Sequence, residues 1–119
     1  NKNQCRCTDQ SFRIEGLVIP CLLLLLKNES AHGYKLREKL EDLPFLQDLP
    51  APGVIYRYLR CLEEDGMVDS KLEPGEGGPA RKVYLLTKEG ESFLKSCKSI
   101  VKEKQNQLKS FLNLLKKYY

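Results

Sequence analysis

The chain contains no tryptophan, a single histidine and a single methionine among 119 residues. His32 alone cannot build a Ser/His or Cys/His nucleophilic arrangement, and no pair of carboxylates falls in a recognisable acid–base site, so no enzyme is expected. A lone histidine in the first turn of a helix most often caps or packs, since a metal site demands several ligands. Long apolar runs are missing too. The longest, Leu17 to Leu26, is broken by Pro20 and falls short of the roughly 18 residues of a spanning helix. Neither a membrane span nor a secretory signal is expected. The glycine-rich stretch Glu73-Pro-Gly-Glu-Gly-Gly-Pro79 is not followed by Gly-Lys-Ser/Thr or by a helix start, which excludes a phosphate loop. Nor is one sign of charge dominant: 20 basic against 16 acidic residues leave +4. Such a balance permits a polyanionic partner, but any surface for it must arise from segregation of the charges.

What is present is a core-forming composition, 41% hydrophobic and 30% charged, in a length suited to one domain with one appended element. Five cysteines make an odd number, and Cys21, Cys61 and Cys97 sit in apolar helical patterns. That predicts reduced, buried thiols and a cytoplasmic protein rather than a disulfide framework.

Pro52 to Gly66 reads as one short helix with both ends marked. Pro50 and Pro52 discourage helix before it, and proline is tolerated in a first turn. Gly66 supplies the residue that closes many helices in the left-handed conformation. Ile55, Leu59 and Leu62 recur at helical spacing and should point inward, leaving Arg57, Arg60 and a tyrosine, Tyr56 or Tyr58, opposite. A helix so divided can lie in a groove of DNA while its back packs on a core. An amphipathic surface helix without a partner has the same pattern.

Before it, residues 1–11 are polar, carry Cys5-Arg-Cys7, and read as a flexible segment. Pro20 to Leu26 is apolar all round, which predicts burial on most of its circumference, in part by a partner subunit. Lys27 to Ser30 reads as a turn, with Ser30 the N-cap of a second helix that Pro44 stops. After Gly66 the period changes. Met67 to Leu72 and Arg81 to Leu86 are β-compatible around a long glycine-rich tip, so Arg81 and Lys82 fall at the base of a hairpin tip. Thr87 is the expected N-cap of a last helix. Along it Phe93, Cys97, Ile100, Lys104, Leu108, Phe111 and Leu115 form a near-heptad seam with Lys104 as a polar interruption. About thirty helical residues extend about 45 Å, more than the domain needs, so a second copy is the expected cover.

The predicted fold is mainly α with a small β-hairpin (α+β), in the order of a winged helix-turn-helix with a long C-terminal dimerisation helix. The boundaries are 1–11, a flexible Cys-containing segment; 12–86, the DNA-binding domain; and 87–119, the dimerisation helix. The residues themselves carry a resemblance. Leu22 to Leu26 leads to His32-Gly-Tyr34. Pro52-Gly-Val-Ile-Tyr56 is followed by Leu62-Glu-Glu-Asp-Gly-Met-Val68, and Gly77-Gly-Pro-Ala-Arg-Lys-Val-Tyr84 by Leu86-Thr-Lys-Glu-Gly90. In this order the motifs, over about residues 17–95, resemble the PadR family of transcriptional regulators.

The resemblance implies a homodimeric repressor whose third helix reads the major groove of a double-stranded operator and whose wing touches backbone or minor groove. Tyr56, Arg57 and Arg60 would be the helix contacts, Arg60 pairing with a guanine edge. Arg81 and Lys82 would hold phosphate or reach the minor groove, and Tyr34 and Lys35 are candidate backbone contacts. Leu22, Leu25, Phe93, Cys97, Ile100, Leu108, Phe111 and Leu115 are the candidate dimer contacts. Val54 stands where the family pattern usually has Thr or Ser, and Arg57 where Pro is frequent. An effector, small molecule or metal, is expected but not identified by sequence. Stacking of planar drugs is poorly served without tryptophan, whereas Cys5, Cys7 and Cys21 are candidate ligands of a metal ion or an iron–sulfur cluster. The alternative to a DNA-binding regulator is a winged-helix module that binds another protein.

Overall fold

A computed structural model describes residues 16–46 and 48–119. Among these residues four helices and three strands follow one another: α1 (Val18–Asn28), β1 (Ala31–His32), α2 (Gly33–Glu41), α3 (Pro52–Glu64), β2 (Val68–Gly75), β3 (Gly78–Leu86) and α4 (Lys88–Leu115). The strands form one antiparallel sheet in the order β1-β3-β2. No helix among the described residues is long and apolar enough to cross a membrane.

The core gathers one face from each helix. Leu22 and Leu23 of α1, Leu36 and Leu40 of α2, and Ile55, Leu59 and Leu62 of α3 are fully enclosed, with Val68 beneath them. The inward spacing read along α3 is thereby met. α1 is apolar all round and mostly buried, as expected, except that Leu24 remains 58% exposed. Pro20 is the third residue of α1, where a backbone N–H has no intrahelical acceptor and its absence costs nothing.

α3 begins with Pro52 after Ala51 and ends in a complete left-handed closure. Gly66 has φ +78°, its N–H donates to Glu63 O at 3.1 Å, and the Met67 N–H donates to Leu62 O at 2.9 Å. The same turn anchors α4. The Thr87 hydroxyl donates to Gly66 O at 2.5 Å and accepts from the Gly90 N–H at 3.1 Å, capping α4. A Cβ on Gly90 would stand 2.1 Å from Met67 O and 2.6 Å from Leu86 Cδ1. Gly90→Ala should therefore destabilise the protein by about 1–3 kcal/mol despite alanine's better helix propensity. A lower denaturant midpoint with unchanged slope is the expected readout.

Three expectations are corrected. Ser30 does not cap α2: the N-cap is His32, without a side-chain bond. Instead Ala31 and His32 pair with Tyr84 and Val83, adding a strand to the hairpin. The hairpin itself is longer and its tip tighter than composition suggests, since Gly75 pairs with Gly78 across Glu76 and Gly77. Pro74 is accommodated at a register irregularity, where no ladder bond is required of it. Arg81 and Lys82 consequently sit within β3, opposite Glu73 and Leu72, and not at the base of the tip. Finally, Cys21 and Cys97 are free and buried, but Cys61 is disulfide-bonded. Burial and bonding leave the same apolar signature in a sequence.

Beyond its first three turns α4 leaves the core. Phe93 and Cys97 are buried against the chain's own helices, Ile100 is half-buried, and residues 101–119 are all exposed. The molecule measures 63 × 31 × 28 Å as a result.

Candidate nucleic-acid interface

α3 holds Tyr56, Arg57 and Arg60 outward because its opposite side is consumed by Ile55, Leu59 and Leu62. The first turn of α2 lies against it. Gly33 makes this approach: a Cβ there would stand 2.4 Å from Tyr56 Cε1, so a larger residue would displace the phenol ring. The next residue, Tyr34, is exposed and meets the wing. Arg81 of β3 donates from Nη1 to the Tyr34 hydroxyl at 3.0 Å, and its guanidinium lies 5.6 Å from the Tyr34 ring centroid. His32 stacks on Tyr34 at 5.6 Å between centroids and approaches Glu73 of β2, Nε2 to Oε1, at 3.7 Å.

These side chains surround a concavity of about 290 Å³ lined by His32, Gly33, Tyr34, Tyr56, Arg81, Lys82 and Tyr84. Four of the seven residues proposed from sequence, Tyr34, Tyr56, Arg81 and Lys82, are thus brought together. Arg60 lies near enough to Lys82 and Tyr84 for its charge to act on both. Arg57 and Lys35 are exposed, outside the lining.

Lys82 is placed differently from the unpaired wing cation expected. Its Nζ contacts Glu63 Oε1 at 3.0 Å and stands 5.9 Å from the Tyr84 ring centroid. Glu63 receives a second bond, from the Ser70 hydroxyl to Oε2 at 2.5 Å. That bond, more than the Lys82 contact, holds the Glu63 carboxyl below the usual carboxylate range, while Glu63 raises the Lys82 ammonium. Burial raises the Tyr84 phenol, which stays neutral.

Sequence reasoning missed the pairing of Glu63 with Lys82. It missed Ser70 and Tyr84 altogether. Their alternation on opposite strands was the available signal, but it becomes informative only with the hairpin register in hand.

The dimer contacts proposed from sequence divide. Leu22 is a correction: it is fully enclosed by its own chain, so it has no surface to offer a second copy. Leu25 is half-buried, and Leu24 beside it is the exposed apolar residue of α1. Phe93 and Cys97 likewise serve the chain's own core, whereas Leu108, Phe111 and Leu115 are uncovered. A second hollow, of about 380 Å³, lies between α1 and α4. Leu24 and Leu94 form its apolar floor, and Lys27, Glu91, Lys95 and Lys98 its rim.

Cys5 and Cys7 lie outside the described residues. Cys21 belongs to the core, where burial pushes its thiol up and opposes the thiolate that a metal requires. Among the described residues no group of three His, Cys, Asp or Glu side chains could hold a metal ion.

The model of the transcriptional regulator PadR-like family matches residues 22–96. The transcriptional regulator YqjI of Escherichia coli strain K12 is 32% identical over 101 residues, which are 85% of this chain and 47% of that protein. The chain therefore spans about half the length of the curated relative it matches. Among solved structures, a PadR-like transcription factor from Bacteroides fragilis superposes with a TM-score of 0.70 at 28% identity, covering 86% of this chain and 96% of that one. A PadR-like transcriptional regulator from Bacillus cereus gives 0.67 at 25% identity, covering 83% and 94%. The matched segment runs from the core of α1 through the winged hairpin to the buried turns of α4, and this chain belongs to the PadR-like family of transcriptional regulators.

Proposed function

We propose that the protein is a sequence-specific DNA-binding repressor that grips a pseudo-palindromic operator as a homodimer. The observation that carries this reading is the convergence of phenolic and cationic side chains from α2, α3 and β3 on one face. Tyr56, Arg57 and Arg60 enter the major groove on α3, where Arg60 pairs with a guanine edge in bidentate fashion. Tyr34, Lys35 and Arg81 hold the phosphate backbone. Lys82 belongs to the same face but is paired with Glu63 in the free protein. Residues 12–86 form the DNA-binding domain and 87–119 the dimerising helix, whose first turns also complete the core.

The dimer follows from the uncovered second half of α4. Leu108, Phe111 and Leu115 continue the seam begun by Phe93 and Cys97, and no described part of their own chain covers them. A second copy covers them, and the Leu24–Leu94 hollow gives its helix a seat beside α1.

Selection of bound duplexes from a random pool tests the reading. Two half-sites about one helical turn apart are expected, as symmetric helix-turn-helix dimers require. Affinity for the selected duplex should fall with salt at a slope of about −0.9 per phosphate neutralised. Failure to enrich any duplex in dilute buffer would leave the protein-binding alternative standing in its place.

A further inference from the structure

We propose that Glu63 withholds Lys82 from the DNA backbone and fixes the wing to the recognition helix, so that Arg81, not Lys82, is the wing's phosphate cation. This rests on the DNA-binding reading above and specifies how its charge is apportioned.

Glu63 occupies the last turn of α3 and divides its two oxygens between the two long strands of the sheet. Oε1 takes Lys82 of β3 at 3.0 Å, and Oε2 takes the Ser70 hydroxyl of β2 at 2.5 Å. Ser70 pairs with Tyr84, two residues along from Lys82, so one carboxylate spans the base of the hairpin. Lys82 is further confined by the Tyr84 ring at 5.9 Å. Arg81 differs in kind. Its side chain bonds the neutral hydroxyl of Tyr34, and among the described residues no carboxylate pairs with it.

A cation already balanced by a carboxylate releases no counterion when a duplex arrives. A phosphate could claim Lys82 only by displacing Glu63, whose negative charge would then stand beside the phosphates and repel them. Arg60, close enough for its charge to act on Lys82, gains from the same carboxylate a local relief of cation repulsion between helix and wing.

Glu63→Gln removes the charge and keeps the shape: the amide oxygen still accepts from Lys82, and the amide nitrogen can donate to Ser70. Affinity for a mixed-sequence duplex and for the selected operator is measured across a salt series for four chains: native, Glu63→Gln, Lys82→Gln and the double variant. Glu63→Gln should tighten binding to both duplexes and steepen the salt slope by about 0.9 per protomer. Lys82→Gln should leave the native slope unchanged, and in the double variant should cancel the gain. The inverse pattern, a slope flattened by Lys82→Gln and untouched by Glu63→Gln, would make Lys82 an ordinary phosphate contact and overturn the proposal. Should Glu63→Gln fail to fold, the Lys82→Gln slope still decides. Equal slopes for native and Glu63→Gln chains that both bind DNA remove only the role of Glu63. No binding by any chain removes the DNA reading as well.

Discussion

A chain carrying glutamate at both Phe111 and Leu115 will sediment as a monomer and lose about 10²- to 10⁴-fold in apparent operator affinity. Phe111 is 57% exposed, and Leu108, Leu112 and Leu114 around it are similarly bare. An apolar strip of this length is not tolerated in water on an isolated helix, which needs burial of one face to persist. Residues 101–119 contribute nothing to the enclosed core, so the charges would not damage the fold of the individual domain. They would stand in the seam proposed to receive a second copy, at a spacing of four residues that puts both on one face. The affinity factor is that of converting a second half-site from an intramolecular to an independent event. Sedimentation equilibrium reads the mass and circular dichroism the retained helix. A variant that stays dimeric would place the interface elsewhere, with the Leu24–Leu94 hollow the next surface to charge.

Legibility in the sequence follows how local the cause is. Both ends of α3 were readable because Pro52 and Gly66 act through their own backbone conformations. Thr87 was readable as a cap because its acceptor role involves a residue three positions on. The inward set Ile55, Leu59 and Leu62 followed from helical period alone. β1 was not readable. Two residues cannot display alternation, and Ala31 and His32 become a strand only because β3 presents an edge to them.

The same limit governs the site. Tyr34 and Arg81 are 47 positions apart, and their hydrogen bond exists because the first turn of α2 faces the wing. Lys82 was legible as a cation near the DNA face, but its partner depends on where the last turn of α3 meets the hairpin. On α1 the obstacle is different. A helix apolar on every side carries no pattern to separate enclosed from exposed positions, which is why Leu22 was named although it is enclosed and Leu24 is the one left bare. Along α4 the limit is again one of pattern: period does not say which turns meet their own domain. Phe93 and Cys97 do, and Leu108 onward do not.

Arg60→Ala should cost about 1–3 kcal/mol of discrimination at one base position of each half-site, roughly 5- to 150-fold between the preferred base pair and its substitutes. The residue is exposed on α3, one turn beyond Tyr56 and on the side opposite the enclosed Leu59 and Leu62. Among the described residues no carboxylate pairs with it: Glu63, three positions on, is engaged by Lys82 and Ser70. Its guanidinium is therefore unspent and has the planar fork that matches the acceptor pair on a guanine edge. Lysine at the same position should keep most of the non-specific affinity, because the charge survives, while discrimination falls, because the fork does not. Arg57→Ala offers a comparison on the same helix. Competition binding against a panel of single-base operator variants separates the effects. If the Arg60→Ala chain keeps the native order of preference and merely binds every duplex more weakly, Arg60 is a phosphate contact, and the base reading passes to Arg57 and Tyr56.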